Sequence, residues 1–242
     1  MKRLALLLCL IWLGSAAVSA PAGVAEAETF LSLVRSRSAQ QNSFADLAGS
    51  ITHLKRNQGA AKHYPVRFLI RFSKDKVQAK LTLNNSEEHY FEQKHNDRAS
   101  VRTAADVKDG GLLGQMGFRI GDLTMDFLNY PVVAEEKPDT YKTLKCRILV
   151  LRSPENKPVR VWIASEYLFP MRAEFFDSFD KLKNGAARTL EITGFEKVGD
   201  YYVASNIALL SSSFRSRIAF KECTATKSDS PEAIKAFSDK SL

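Results

Sequence analysis

Between residues 64 and 83 the chain reads YPVRFLIRFSKDKVQAKLTL, and nearly every second position is apolar. Tyr64, Val66, Phe68, Ile70 and Phe72, then Val77, Ala79, Leu81 and Leu83, are separated by Arg67, Arg71, Gln78, Lys80 and Thr82. Side chains on a strand project alternately to opposite faces. The pattern therefore predicts two strands, joined at SKDK, with one apolar and one polar face between them. The same texture recurs along most of the chain. SFADLAGSITHLKRN (43–57) alternates through Leu47, Gly49 and Ile51, and EEHYFEQKHN adds a strand turning at Asn96-Asp97. Further on, YKTLKCRILVLRS puts Leu144, Cys146, Ile148 and Val150 on one face. KPVRVWIAS adds Val159, Val161 and Ile163, and LFPMRAEFFD adds Met171, Ala173 and Phe175. TLEITGFEKVG, DYYVASNIALL and FRSRIAFKECTAT complete the series, with Asn-, Asp-, Gly- and Pro-rich turns between them.

Helical spacing is scarce. EAETFLSLVRSRSAQQ brings Phe30, Leu31 and Val34 to one side of a helix, with Glu26 and Glu28 in its first turn and Arg35 and Arg37 in its last, a placement that suits the helix dipole. Gly110, Gly111 and Gly114 break the stretch before GDLTMDFLNYP, where Asp122 is expected to cap a short helix carrying Leu123, Phe127 and Leu128 and ended by Pro131. Near the end, Ser230 as cap and Pro231 at the first helical position predict one more short helix, with Ile234 and Phe237.

Strands that follow one another through short turns imply an antiparallel meander. About ten strands share an apolar face, and only two or three short helices are available to cover it. A sheet of that size curls, and its concave side has to be filled. Either its own side chains fill it, or the helices form a lid over a cavity that admits a greasy ligand. The inner face is expected to carry Phe68, Ile70, Phe72, Leu81, Ile148, Val161, Ile163, Met171, Phe175 and Ile192. The helical lid carries Phe30, Val34, Leu123, Phe127 and Leu128. Trp162, by alternation with Val161, falls on the outer surface.

At the amino terminus, Lys2 and Arg3 precede an apolar run from Leu4 to Leu13 that is too short to span a bilayer, followed by small residues. This is the pattern of a cleaved export signal over residues 1–20, with cleavage after Ala20 or Ala27. A single domain over 28–226 and a tail with a short helix over 227–242 would follow. The 242 residues are 45% hydrophobic and 26% charged, enough for a sizeable core. Cleavage after Ala20 removes Lys2 and Arg3 and no acid, so the formal charge of +8 falls to +6. A basic exported protein suits anionic lipid headgroups or acidic partners, or simply has a solvated basic surface. Export and the lack of a basic cluster argue against nucleic acid.

Catalytic patterns are lacking. The four histidines, His53, His63, His89 and His95, have no metal-ligand spacing with one another or with cysteine. Glu87-Glu88 and Glu135-Glu136 are adjacent in sequence, so on strands their carboxylates point to opposite faces and cannot work as a dyad. The serines at 211–213 lack a nucleophile elbow. Neither an enzyme nor a cofactor or metal site is expected. Cys146 and Cys223 could form a disulfide in an oxidising compartment, although no spacing links them, and Cys146 also reads as a small buried apolar residue.

Three stretches carry a family resemblance: GDLTMDFLNYP (121–131), VWIASEYLFPMRAEFFD (161–177) and LKNGAARTLEITGFEKVGDYYVASNIAL (182–209). With the opening helix and the strands at 64–94 in matching order, the chain resembles the outer-membrane lipoprotein-sorting family, the LolA/LolB-like superfamily of periplasmic lipid carriers. The resemblance implies a mainly β (α+β) fold: a strongly curved antiparallel sheet forming an unclosed half-barrel, its concave face capped by a few short helices. It also implies a soluble periplasmic carrier that shields acyl chains. Its partners would be an acylated lipoprotein or another lipid, with an outer-membrane acceptor or an inner-membrane transporter. Exposing an acyl chain to water costs about 0.8 kcal/mol per CH₂, so such a carrier needs an apolar trough and a lid loose enough to release the chain. Relatives of the fold also serve as envelope sensors or interaction modules, for which a filled interior would suffice.

Overall fold

A computed structural model describes residues 22–57, 59–94, 100–103 and 110–238. The proposed signal, residues 1–20, and the turn at Asn96-Asp97 lie outside the described residues. Twelve strands form one antiparallel sheet: β1 (Ser43–Lys55), β2 (Lys62–Phe72), β3 (Lys76–Leu83), β4 (Glu87–Lys94), β5 (Ser100–Thr103), β6 (Val132–Tyr141), β7 (Leu144–Arg152), β8 (Pro158–Ala164), β9 (Phe169–Phe175), β10 (Arg188–Val198), β11 (Tyr201–Ser211) and β12 (Phe214–Lys227). Their spatial order is β5-β4-β3-β2-β1-β12-β11-β10-β9-β8-β7-β6. Two meanders thus run outward from a central seam where β1 pairs with β12, and among the described residues β5 and β6 form the edges. The sheet is curved but not closed into a barrel.

Register follows the alternation. Leu47 faces Phe68, Ala45 faces Ile70, and Phe68 faces Leu81, so the inner residues of β1, β2 and β3 lie side by side. Across the seam, Ile51 faces Ile218, and Ile218 faces Ile207. At Gly49 the β1–β12 register shifts by a bulge, and a Cβ there would lie 2.0 Å from the carbonyl oxygen of Ala219. Only glycine lets the two backbones approach this closely where the sheet bends.

The concave side holds all the described helical segments that cover the core. Helix α1 (Ala22–Gln40) buries Ala27, Phe30, Leu31 and Val34 and runs along β6. It begins before the expected boundary at residue 28, so Glu26 and Glu28 fall beyond its first turn, which contains no acid. Those carboxylates serve tertiary contacts instead. Residues 111–129 form three short pieces rather than one helix: α2 (Gly111–Gln115), α3 (Ile120–Thr124) and a 3₁₀ turn (Asp126–Asn129). Met125 at φ 58° separates the last two. Asp122 lies inside α3, where its carboxylate accepts the backbone N–H of Arg119 at 2.8 Å, so Arg119 occupies the cap position. A last helix, α4 (Pro231–Ala236), is capped by Ser230, whose hydroxyl accepts from Ala233 N. It packs on the convex side, with Phe237 edge-on to Phe44 at 6.3 Å, while Ile234 is exposed.

Two strand segments were not foreseen. β6 reads VVAEEKPDTY, with little alternation and with Pro138 inside it, which suits an edge. β5 is only four residues long.

Candidate functional site

Side chains fill most of the trough. Leu81, Val161, Ile163, Leu149, Leu151, Leu209 and Ile218 are wholly buried, and from above Leu113, Met116, Phe118, Ile120, Leu123, Phe127 and Leu128 descend onto them. A cavity of about 130 Å³ remains at one end, where β1, β12 and β11 meet the lid. Its floor is Ala45, Leu47, Phe68, Ile70, Phe72 and Val77 from β1–β3, with Val203, Ile207, Phe220 and Ala225 from β11 and β12. Leu123, Met125 and Leu128 close it from the lid side, and Gln93, Lys94, Arg35, Tyr201 and Tyr202 stand around it. For scale, an engineered apolar cavity of about 150 Å³ accepts benzene, while typical small-molecule pockets start at roughly 300 Å³. The hollow in this conformation is therefore apolar and short.

Three polar latches fix the lid to the sheet. The buried carboxylate of Asp122 on α3 is held bidentately by Arg188 of β10, at 2.6 and 2.8 Å. Arg188 also donates to Gly117 O and lies 4.0 Å from the ring centroid of Phe175, which packs edge-on against Phe127 at 5.8 Å. On α1, Arg35 donates to Leu128 O at 2.7 Å and to Tyr130 O at 3.1 Å, and pairs with Glu28 at 2.8 Å. Glu28 in turn accepts from Val132 N, so one ion pair joins α1, the 3₁₀ turn and the start of β6. Glu87 of β4 accepts the backbone N–H groups of Leu112 and Leu113 on α2 and meets His89 Nε2 at 2.6 Å. Burial works to raise the Glu87 pKa, but these donors overcome it and leave the carboxyl below its ordinary value.

Of the residues expected to line a cavity, Phe68, Ile70 and Phe72 stand in its wall. Leu81, Val161, Ile163 and Ile192 belong to the solid part of the core, and Phe175 packs at its border. Ile148 is a correction: it faces Trp162 across β7–β8, on the convex side, whereas Leu149 faces Val161 within the trough. Both faces of β7 are buried, so its apolar run offers no alternation to choose between the two parities. Met171 is a second correction. At a bulge Ile163 faces Pro170 while Trp162 faces Arg172, which leaves Met171 as the extra residue, packed with Cys146 and Ala164 in a small separate cluster. Among the lid residues, Leu123 and Leu128 touch the cavity, and Phe30, Val34 and Phe127 pack in the filled core.

Cys146 and Cys223 are both free, on β7 and β12, with four strands between them. At about 4.8 Å per strand this is far beyond the roughly 7 Å Cα separation that a disulfide tolerates. Burial, followed by the carboxylate of Glu196, pushes the Cys223 thiol up to about 11. The Glu135–Glu136 pair does split across the sheet: Glu135 binds Arg147 on one side and Glu136 binds Arg160 on the other. Among the described residues no three His, Cys, Asp or Glu side chains cluster as a metal site would require, and no helix is long and apolar enough to cross a membrane.

The residues that sequence reasoning missed are of two kinds. Val203, Ile207, Phe220 and Ala225 lie on strands recognised as such, and their place in the wall follows once the β1–β12 seam is known. The latches pair residues 93 and 66 positions apart, and no local pattern marks them.

No protein-family model and no curated protein matches the sequence. Solved structures do match its fold. An outer-membrane lipoprotein-sorting protein domain from Vibrio parahaemolyticus superposes with a TM-score of 0.64 at 11% identity, over 85% of this chain and 95% of that one. A DUF1329 family protein from Desulfovibrio piger gives 0.64 at 12% identity, over 87% and 97%. A LolA superfamily protein from Nitrosomonas europaea gives 0.55 at 18% identity, over 86% and 96%. The chain thus has the LolA-like fold, an unclosed half-barrel of antiparallel strands with short helices laid into its concave face.

Proposed function

We propose that the protein binds the hydrocarbon tail of an amphiphile in its half-barrel and carries it through the periplasm, with an acylated lipoprotein on its way to the outer membrane as the cargo. The observation that supports this most is the apolar cavity between lid and sheet, walled by Phe68, Ile70, Val203, Ile207 and Phe220. A tail placed there leaves water at about 0.8 kcal/mol per CH₂. At about 130 Å³ the cavity holds only part of an acyl chain, so loading requires the lid to lift. In support of this, the lid consists of short segments that pack on the sheet through apolar side chains and a few polar latches, one of them an ion pair, so lifting it need not unravel a strand. Cargo donor and acceptor, an inner-membrane transporter and an outer-membrane receptor, belong to the same reading. So does export with cleavage after Ala20, because Ala27 is completely buried and cleavage after it would strip that contact from α1.

The extent of filling favours a second reading. With most of the trough occupied by its own side chains, the same fold can serve as an envelope sensor or assembly module that carries no lipid. Mass spectrometry of organic extracts from protein purified under native conditions separates the two. Stoichiometric acyl lipid, displaced by a fluorescent fatty acid, is the expected result. A lipid-free protein that does not bind the fatty acid would overturn the carrier reading.

A further inference from the structure

One buried titratable side chain takes no part in the site above. His53 on β1 is 5% exposed and lies at the end of the trough away from the cavity, facing Lys62 on β2 and Ser216 on β12. Its Nδ1 is 2.8 Å from Ser216 Oγ, and that hydroxyl donates to Met116 O at 2.6 Å. A hydroxyl has a single proton. Since Ser216 directs it to Met116, the proton between Ser216 and His53 must come from the imidazole. His53 is therefore the Nδ1–H tautomer, with a lone pair on Nε2. This Nε2 is buried and has no hydrogen-bond partner among the described residues.

Protonating Nε2 would create a buried charge and an N–H with nothing to accept it. The surroundings offer no relief. Lys55 on the same strand and Lys62 opposite are both cationic, and the Phe214 ring lies 5.6 Å away. From β10, Arg188 bonds Gly117 O of the lid, and the carboxylate of Asp122 on α3 is already engaged by that arginine. On β11, Leu209 faces Ser216. Burial, then Lys55 and Lys62, hold the imidazole below its ordinary value of 6.5.

The other end of this hydrogen-bond chain is the lid. Met116 is the C-cap of α2, its N–H donating to Leu112 O while its own carbonyl accepts from Ser216, and Leu113, Met116 and Phe118 plug this end of the trough. Gly117 is packed so closely that a Cβ would lie 2.1 Å from the Phe214 ring. In this packing Nε2 is shut off from water. We propose that His53 is a proton-operated latch that releases the α2 segment, residues 111–118, from the sheet on acidification. In the open form the imidazole is hydrated and has its ordinary affinity for protons, whereas in the closed form its affinity is lower. The open form thus binds more protons, and the closed form loses stability as the pH falls below about 6.5. At the other end of α2, the Glu87 carboxylate holds the N–H groups of Leu112 and Leu113, so the release belongs to the Met116 end.

Amide hydrogen exchange of residues 111–118 between pH 7.5 and 5.5, corrected for intrinsic rates, tests this without any ligand, and so independently of hydrocarbon binding. The opening equilibrium should rise by up to about tenfold per pH unit once the pH falls below about 6.5, while the amides of Leu47 and Ile51 stay protected. Imidazole ¹⁵N shifts should show the Nδ1–H tautomer at pH 7.5. His53→Asn, which keeps an N–H donor near the Nδ1 position but does not titrate, should abolish the pH dependence, and His89→Gln should retain it. An Nε2–H tautomer, titration of His53 at or above 6.5, or undiminished pH dependence in His53→Asn would each overturn the proposal. Should His53→Asn fail to fold, the wild-type titration and the His89→Gln exchange profile still decide.

Discussion

Ala45 offers the sharpest test of whether the hollow exists. It lies on β1 in the cavity wall, is nearly fully buried, and faces Ile70 and Ala225, which line the same space. Ala45→Leu adds three carbons, half the number in the benzene that a cavity of similar size admits. If they enter an apolar void, the gain is about 0.8 kcal/mol per carbon, or ~2.4 kcal/mol, reduced by about 0.5–1 kcal/mol for the lost rotamer freedom of leucine. A net stabilisation of about 1.5 kcal/mol should appear as a rise in Tm of roughly 3–6 °C for a chain of this size. If the core were already filled there, the same carbons would force side chains off their rotamers at a cost of about 1–3 kcal/mol. The sign of the change therefore decides. Urea denaturation with a constant slope gives the free energy, and displacement of a fluorescent fatty acid gives the affinity. Higher stability with at least about tenfold weaker fatty-acid binding is the predicted outcome. A destabilised variant that binds the probe like wild type would refute the placement of the cavity.

Other substitutions probe the scaffold. Arg188→Leu leaves the Asp122 carboxylate buried without its partner and should cost about 3–5 kcal/mol, whereas the double variant with Asp122→Asn should recover a large part of that loss in a double-mutant cycle. Gly49→Ala should destabilise by more than about 2 kcal/mol in chemical denaturation, because its Cβ would meet the Ala219 carbonyl oxygen of the partner strand. Ser230→Ala removes the cap of α4 and should cost about 1 kcal/mol, read as faster proteolysis of the tail. Without reductant, unfolding should expose Cys146 and Cys223 as reactive thiols; in the folded protein Cys223 should react slowly at neutral pH, since its thiol is pushed up to about 11.

Strict alternation made most of the sheet legible in the chain. Wherever one strand face is buried and the other wet, as in β2 and β3, the period of two identifies both the strand and its inner residues. It fails at β7, whose two faces are both covered, so that Ile148 and Leu149 look alike until pairing with Trp162 and Val161 separates them. A bulge defeats it at Met171, because one extra residue moves a side chain out of phase without altering the composition. β6 escaped because an edge strand with Pro138 and mixed charges has no alternation to read. The lid was legible as apolar helical sequence, but its division at Met125 depends on a left-handed backbone at a non-glycine residue, which nothing local announces. The cavity itself was the least readable feature. An excess of apolar strand over helix suggests a hollow, yet how much of it survives depends on how deeply Phe118, Leu123 and Phe127 descend, a matter of three-dimensional packing.

The central claim is that hydrocarbon occupies the space between the lid and the β1–β12 seam. Intermolecular NOEs from a ¹³C-labelled fatty acid to protein side chains measure this directly. The account predicts contacts from the methylene chain to Phe68, Val203, Ile207 and Leu128, in a saturable one-to-one complex. A bound chain that contacts only the convex face around Trp162, or no complex at millimolar ligand, would contradict it.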